Sequence, residues 1–457
     1  MTWWTDGADG RDATSQLLDL ARANRAGEPV GIYSVCSADR SVLRAAMIQA
    51  RRDGVIVLVE ATSNQVNQTG GYTGMTPPDF RSFVHSIAAE IGLPPTRIVL
   101  GGDHLGPHVW RSQGSDAAMG LARDLVRDYV LAGFTKIHLD ASMRLADDPA
   151  DRLLDEATVA ERTAGLCSVA EEAAALLPAA APRPVYVVGS EVPIPGGELA
   201  DSAAPAVTSV DAVERTLDET RRAFARHGVG DALERVLALV TQPGVEFGDA
   251  VVFEYDERAA AALASRTPAQ APLVYEAHST DYQAEEALRR MVRDHFAVLK
   301  VGPGLTFALR ETLFALEAIE GEWLVRRPGV VPSRLRETLQ RVMVEHPEHW
   351  RPYFHGDEDE LRFARDFSFS DRSRYYWPRA EVQAAVERLV GNLSARPIPL
   401  TLLSQYLPGQ YLAVREGTLS SDPRALIRAG IGAVIDVYAR ACGMGGRAGI
   451  PGQGDQA

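Results

Sequence analysis

The sequence predicts an α/β fold, a (β/α)8 TIM barrel carrying a helical C-terminal extension. Three observations lead there. Between about residues 29 and 320, eight short runs rich in β-branched residues alternate with amphipathic helical stretches. The runs are apolar on both faces, as strands are when helices cover the sheet on its outside. No Gly-x-Gly-x-x-Gly follows the first run, which sets a doubly wound dinucleotide-binding sheet below a closed barrel of eight units.

The strand candidates are 29–35, 55–60, 97–102, 135–140, 184–189, 236–242, 272–278 and 297–302. Helical patterns lie between them, for example at 41–54 and 116–133. After residue 320 the strand repeat stops, aromatic residues concentrate in 349–377, and 380–395 and 422–441 carry helical patterns. The expected organisation is a barrel over 1–320, a helical extension over 321–445 and a disordered Gly-rich tail over 446–457.

Composition narrows the function. Hydrophobic residues make up 46% of the 457 and charged residues 24%, enough for a large core in a soluble protein. The 47 basic against 61 acidic residues give a net charge of −14, which argues against nucleic acid or an anionic membrane as main partner. A phosphorylated substrate stays open, since a few N–H groups and one lysine hold a phosphate. Cys36, Cys167 and Cys442 are widely spaced and form no metal knuckle or disulfide framework, so a cytoplasmic location is expected. No apolar run approaches 18 residues, and the first residues lack a basic signal-peptide start, so neither a membrane span nor secretion is expected.

A barrel of this class carries its chemistry at the C-terminal ends of its strands. The second run ends in Glu60 and enters a loop with Asn64, Gln65, Asn67 and Gln68, a density of donors and acceptors suited to a polyol. The third ends in Asp103-His104, a carboxylate beside an imidazole, which suits acid/base work next to a metal ligand. His108 follows and is as readily a solvent-facing residue. The fourth ends in His138 and Asp140, two apart and on the same side of the strand, with Ser142 just beyond. Asp140 is the stronger candidate of that pair; His138 reads equally as a packed core histidine or as a support for a ligand. Glu191 lies past the fifth run, Gln242 and Glu246 past the sixth, and His278 at the end of the seventh. The eighth ends in Lys300-Val301-Gly302-Pro303-Gly304, where glycines before a helix let an anion approach backbone N–H groups. His104, Glu191 and His278 come from three different strands and are the expected ligands of one divalent cation, with a position left for substrate.

The runs EATSNQVNQTGGYTGM, GGDHLGP, KIHLDASM, GSEVPIPGG, YEAHSTDYQ and LKVGPGLTFALRE resemble the accessory, non-catalytic subunit family of D-tagatose-1,6-bisphosphate aldolase. The resemblance covers about residues 12 to 445. That family is in turn similar to the zinc-dependent class II aldolases, and the similarity implies roles residue by residue. Asp103 would be a catalytic acid/base and His104 a zinc ligand. Asp140-Ala141-Ser142 would match a motif of the next strand, Glu191 a glutamate before Gly-Gly, and His278 a late zinc histidine. Two features depart from the aldolases. Ser279-Thr280-Asp281 stands where they carry a glycine-rich phosphate loop, and Lys300 to Gly304 replaces their second phosphate segment. No counterpart of their intermediate zinc histidine is evident.

The resemblance implies an accessory subunit that supports a separate catalytic class II aldolase in galactitol, tagatose or N-acetylgalactosamine catabolism, within an oligomer. The residue chemistry favours an alternative, a metal-dependent ketohexose 4-epimerase interconverting D-fructose and D-tagatose by retro-aldol and aldol steps, as some members of the family do. In that reading Asp103 or Glu60 is the base, Asp140 a further catalytic group, and Asn64, Gln65, Gln68, Ser142, Lys300 and Gly302 contact the sugar or sugar phosphate. The expected metal is Zn²⁺, with Mn²⁺ or Ni²⁺ as alternatives. The aromatic run 349–377 is the expected partner-facing surface. No Walker-type loop is present to support a kinase.

Overall fold

The computed structural model describes residues 12–150, 154–189, 205–266 and 273–444. Its strands are β1 (Ile32–Cys36), β2 (Val57–Thr62), β3 (Ile98–Leu105), β4 (Lys136–Leu139), β5 (Val185–Val188), β6 (Val236–Val240), β7 (Glu246–Phe247), β8 (Val252–Phe253), β9 (Val274–Ala277) and β10 (Phe296–Val301). Eight of them close a parallel barrel in the order β1-β2-β3-β4-β5-β6-β9-β10, with β10 pairing back onto β1. Each coincides with an expected strand to within a few residues. The remaining two, β7 and β8, form a small antiparallel hairpin after β6 that the periodicity does not reveal.

Local chemistry explains where the elements start and stop. The helix Arg40–Asp53 begins where the Asp39 carboxylate accepts the N–H groups of Ser41 and Val42, and ends at Gly54, whose φ of 70° reverses the chain. At the end of β3 the backbone departs from ideal pairing. His104 takes a φ of 49°, and the register against β4 shifts between Gly102 and Leu105. Such an irregularity re-aims side chains at the rim of a barrel.

The barrel interior holds charge as well as aliphatic packing. Lys136 of β4 contacts Glu60 of β2 and lies 2.7 Å from Glu276 of β9, and all three side chains are fully buried. Burial alone would strip the lysine of its proton, but the two carboxylates hold its pKa above the ordinary value.

The extension folds onto the barrel. The helix Pro303–Trp323 runs through position 320, the expected domain boundary. The final helix Pro423–Ala441 packs against the barrel helices Arg40–Asp53, Glu285–Arg293 and Pro303–Trp323. It and the residue after it also tie down the loop after β9 and the start of β1. The Tyr438 hydroxyl donates to Thr280 O at 2.6 Å, and Gly31 N–H donates to Cys442 O at 3.0 Å. The helices expected at 380–395 and 422–441 are present as Ala380–Ser394 and Pro423–Ala441. The 446–457 tail lies outside the described residues.

The aromatic run 349–377 is divided between core and surface. Trp350, Phe354, Tyr376 and Trp377 are buried, whereas Phe363 and Phe367 are exposed. Residues 368–375 form a strap that returns to the barrel mouth. Ser368 Oγ donates to Asp249 Oδ1 at 2.6 Å, and Thr306 Oγ1 donates to Asp371 Oδ2 at 2.5 Å. Among the described residues, no helix is long and apolar enough to cross a membrane.

Candidate functional site

Three histidines meet at the C-terminal mouth of the barrel. The rings of His104, His138 and His278 lie 5.0, 5.1 and 5.4 Å apart by centroid, and all three are buried. Each carries a carboxylate behind it. His104 Nδ1 is 2.7 Å from Asp140 Oδ2, His138 Nδ1 is 2.9 Å from Asp103 Oδ1, and His278 Nε2 is 3.2 Å from Glu276 Oε1. Imidazoles backed by carboxylates are oriented and made more basic, which is how metal-binding histidines are held.

The donor set fits a divalent cation. One ligand atom each from Asp103, His104, His138 and His278 lies within 4.8 Å of all the others. The Nε2 of His138 is buried and has no hydrogen-bond partner, a costly state for a polar atom unless a ligand completes it. Burial lowers the pKa of His138 and takes that of His278 to about 3, so both rings are neutral and able to donate a lone pair. Imidazole donors suit zinc and also nickel.

Lysine governs the neighbouring charge. Lys300 of β10 contacts Asp103 and lies 3.8 Å from Glu60 Oε2. Burial pulls its pKa down, but Asp103 and its neighbours pull harder, and it stays a cation. Cys36, Glu60 and Asp103 would otherwise make a second group able to hold a metal, but the Lys300 ammonium lies against its two carboxylates. Burial disfavours the charged form of Asp103, but His104 and Lys300 outweigh it and keep the carboxyl well below its usual range.

A cavity of about 90 Å³ opens at this mouth. Of the residues expected from sequence, Asn64, Gln65, Asp103, His104, His278, Lys300 and Gly302 line it. Others are placed elsewhere. Glu60 is fully buried as the counter-ion of Lys136, so it is not a carboxylate facing substrate. Asp140 is occupied behind His104 and accepts Ser142 Oγ at 2.6 Å, which takes both out of the cavity wall. Gln68 Nε2 donates to Leu121 O, Asn67 holds the loop through Ser63 O, Thr69 and Gly71, and Gln242 Oε1 accepts Gly244 and Val245 N–H. These side chains order loops. Glu191 lies outside the described residues, and among the described residues His138 stands with His104 and His278.

The helix after β10 also differs from expectation. The N–H groups of Gly302 and Gly304 point at Asp281 Oδ1, at 2.9 and 2.7 Å. The anion at this N-terminus is therefore the chain's own carboxylate. Sequence reasoning missed Tyr72, Arg374 and Tyr375, which also line the cavity. Arg374 and Tyr375 arrive on the strap, about 270 residues after His104, and no local pattern announces that contact. Tyr375 stacks on His349 at 4.5 Å and meets Tyr72 edge-on at 4.7 Å.

The family model for the D-tagatose-1,6-bisphosphate aldolase subunit GatZ/KbaZ-like family matches residues 17–443. The chain belongs to this family. A solved structure, that of a probable tagatose 6 phosphate kinase from Sinorhizobium meliloti 1021, is 45% identical with a TM-score of 0.82, over 90% of this chain and 100% of that one. More distant matches are the YdjI aldolase from Escherichia coli K12, at 10% identity and TM-score 0.41 over 79% of this chain and 95% of that one, and a fructose-bisphosphate aldolase from Campylobacter jejuni, at 13% and 0.43 over 83% and 92%.

Proposed function

We propose that this GatZ/KbaZ-like chain is itself a metal-dependent ketose-processing subunit, working by reversible cleavage of a carbon–carbon bond, with epimerisation at C4 as the outcome when the aldehyde half turns before re-addition. The observation that carries it is the convergence of three carboxylate-backed histidines with an orphaned His138 Nε2. A subunit with only a supporting role has no physical need for such a centre. His104, His138 and His278 would hold the cation, which when bound supplies Lewis-acid polarisation of the ketose C2 carbonyl.

The protein's own groups then have defined work. Asp103 is the expected acid/base group that lines the cavity and accepts the proton of the C4 hydroxyl. As the C3–C4 bond breaks, its electron pair passes to the C2 carbonyl oxygen, and the Lys300 ammonium stabilises the negative charge that forms there. Because Lys300 is held protonated, it lacks the free amine that imine chemistry requires. Asn64 and Gln65 line the same cavity and supply amide groups for sugar hydroxyls. A kinase activity has no support in this chain, which lacks a Walker-type loop.

One observation favours a second reading, an accessory subunit of a separate catalytic aldolase. The N–H groups beside Gly302 that could receive a substrate phosphate are filled by Asp281. The two readings separate in one experiment. The purified chain alone is incubated with D-fructose, D-tagatose and their phosphates, with Zn²⁺, Mn²⁺ or Ni²⁺, after its metal content has been measured. Retained metal with interconversion or cleavage, lost in EDTA, supports the first. A metal-free chain with no turnover that stimulates an added class II aldolase would leave only the second.

A further inference from the structure

Epimerisation at C4 by bond cleavage makes a stereochemical demand that one acid/base group does not meet. When the C3–C4 bond breaks, O4 gives its proton to Asp103 and C4 becomes an aldehyde carbon. For C4 to invert, the aldehyde turns its other face to C3, which swings O4 away from Asp103. On re-addition the electron pair of the C4–O4 double bond moves onto O4, and the new alkoxide needs a proton from a donor elsewhere in the cavity wall.

Tyr375 is placed to be that donor. Asp103 reaches the cavity from the end of β3, whereas Tyr375 reaches it on the strap that comes back from the extension. The strap is fixed there, because Asp371 accepts Thr306 Oγ1 at 2.5 Å and Ser373 Oγ at 2.8 Å. The ring is braced by its stack on His349 and its edge contact with Tyr72.

Arg374 is committed to this phenol. Its Nη1 donates to Ser370 O and, at 3.1 Å, to Asp371 O, which pins the guanidinium to the strap backbone, and its Nη2 donates to the Tyr375 hydroxyl oxygen at 3.0 Å. A cationic donor on that oxygen stabilises the phenolate left when the proton departs. Burial pushes the Tyr375 phenol up, but the charges of Arg374 and Arg372 outweigh it and hold the group below the ordinary tyrosine range. Tyr72, which lines the same cavity, is pushed up by burial and stays a neutral phenol.

We propose that Tyr375 is a second catalytic residue of this site, giving its phenolic proton to O4 of the re-formed ketose while Arg374 holds the phenolate. That the acceptor is O4 rests on the ketose reading above; that the site carries an activated phenol does not. The protons balance. In each passage from D-fructose to D-tagatose Asp103 gains one and Tyr375 loses one, and exchange with water after product release restores both. The return reaction starts from the opposite pair, a protonated Asp103 and a Tyr375 phenolate.

The test uses Tyr375→Phe in the full chain supplied with Zn²⁺, a change that keeps the stacked ring and removes only the hydroxyl. Two quantities are measured from neutral to alkaline pH: turnover of D-fructose to D-tagatose, and phenolate formation by ultraviolet difference titration. Tyr375→Phe should lose epimerisation by at least about 100-fold, in kcat rather than KM. Its pH profile should also lose the alkaline limb that ionisation of this phenol gives the wild type. In the titration, wild type should ionise one phenol below the ordinary tyrosine range that Tyr375→Phe lacks, and Arg374→Gln should move that ionisation to higher pH. Wild-type turnover in Tyr375→Phe, or the same titration curve for both chains, would overturn the proposal. A wild type that turns over no ketose yet shows the early-ionising phenol would remove O4 as the acceptor, and the ketose reading with it, while supporting the activated phenol.

Discussion

His138 Nδ1 lies 2.9 Å from Asp103 Oδ1, and this contact leaves the opposite nitrogen of the ring buried and unpaired, in ring contact with His104 and His278. Replacing the ring therefore removes a donor that nothing else supplies. His138→Ala is expected to lower zinc affinity by at least about 100-fold, and Asp103→Asn, which weakens the support behind the ring, by about 10- to 100-fold. Competitive titration with a chromophoric chelator reads both. Wild-type affinity in His138→Ala would remove this ring from the metal centre.

Lys136 neutralises two carboxylates that have no access to water. Lys136→Met should destabilise the chain by about 3–5 kcal/mol, because it strands Glu60 and Glu276 as uncompensated buried charge. Adding Glu60→Gln and Glu276→Gln should recover much of that loss. Urea denaturation gives the values, and a single-mutant loss under about 1 kcal/mol would contradict the role of the triad.

Asp281 gives a pH dependence with a definite sign. Burial pushes its carboxyl up to about 6, against the opposing pull of the Gly304 and Gly302 N–H groups. The unfolded aspartate titrates near ~3.9, so between about pH 4 and 6 the folded state binds the extra proton and this group's contribution falls as pH rises. Asp281→Asn keeps an oxygen acceptor without the charge. Its stability relative to wild type should rise across that window by on the order of 2–3 kcal/mol and then level off. A difference that is flat from pH 4 to pH 7 would be inconsistent with the raised pKa.

Gly106 is fixed by space alone. A Cβ there would sit 1.6 Å from Asp140 O, in the backbone that carries the partner of His104. Gly106→Ala should cost more than about 3 kcal/mol and weaken metal retention together with stability. Gly120, inside the helix Ser115–Leu131, has nothing within 4 Å of its Cβ position, so Gly120→Ala should be neutral or stabilising by about 0.5–1 kcal/mol. Parallel thermal melts compare the two, and equal effects would show that packing at Gly106 does not constrain the strand end.

The barrel was readable from sequence because each strand announces itself locally, by β-branched runs set between helical patterns. The strand-end positions of Asp103, His104, His278 and Lys300 followed from the same logic. His138 could not be assigned, since sequence places it on the side of β4 it shares with Asp140 but does not show that Asp103 binds its ring. The presence of Arg374 and Tyr375 at the mouth depends on Asp371, Thr306, Ser368 and Asp249 meeting across the molecule, and such contacts leave no periodic trace. Asp281 reads in sequence as one polar residue among several. Only the fold shows that it fills the N–H groups a ligand would otherwise use.

The clamp of Tyr438 on Thr280 and of Cys442 on Gly31 has a consequence for synthesis. A chain emerging N-terminus first makes β1 early and β10 some 260 residues later, and the helix that ties down Thr280 and Gly31 begins about 120 residues after β10. Until then the strap residues Arg374 and Tyr375 also lack the helix against which the extension settles. The barrel can close by pairing β10 onto β1 before that helix exists, but a chain cut before Pro423 would carry the histidine centre on a barrel whose mouth is unfinished.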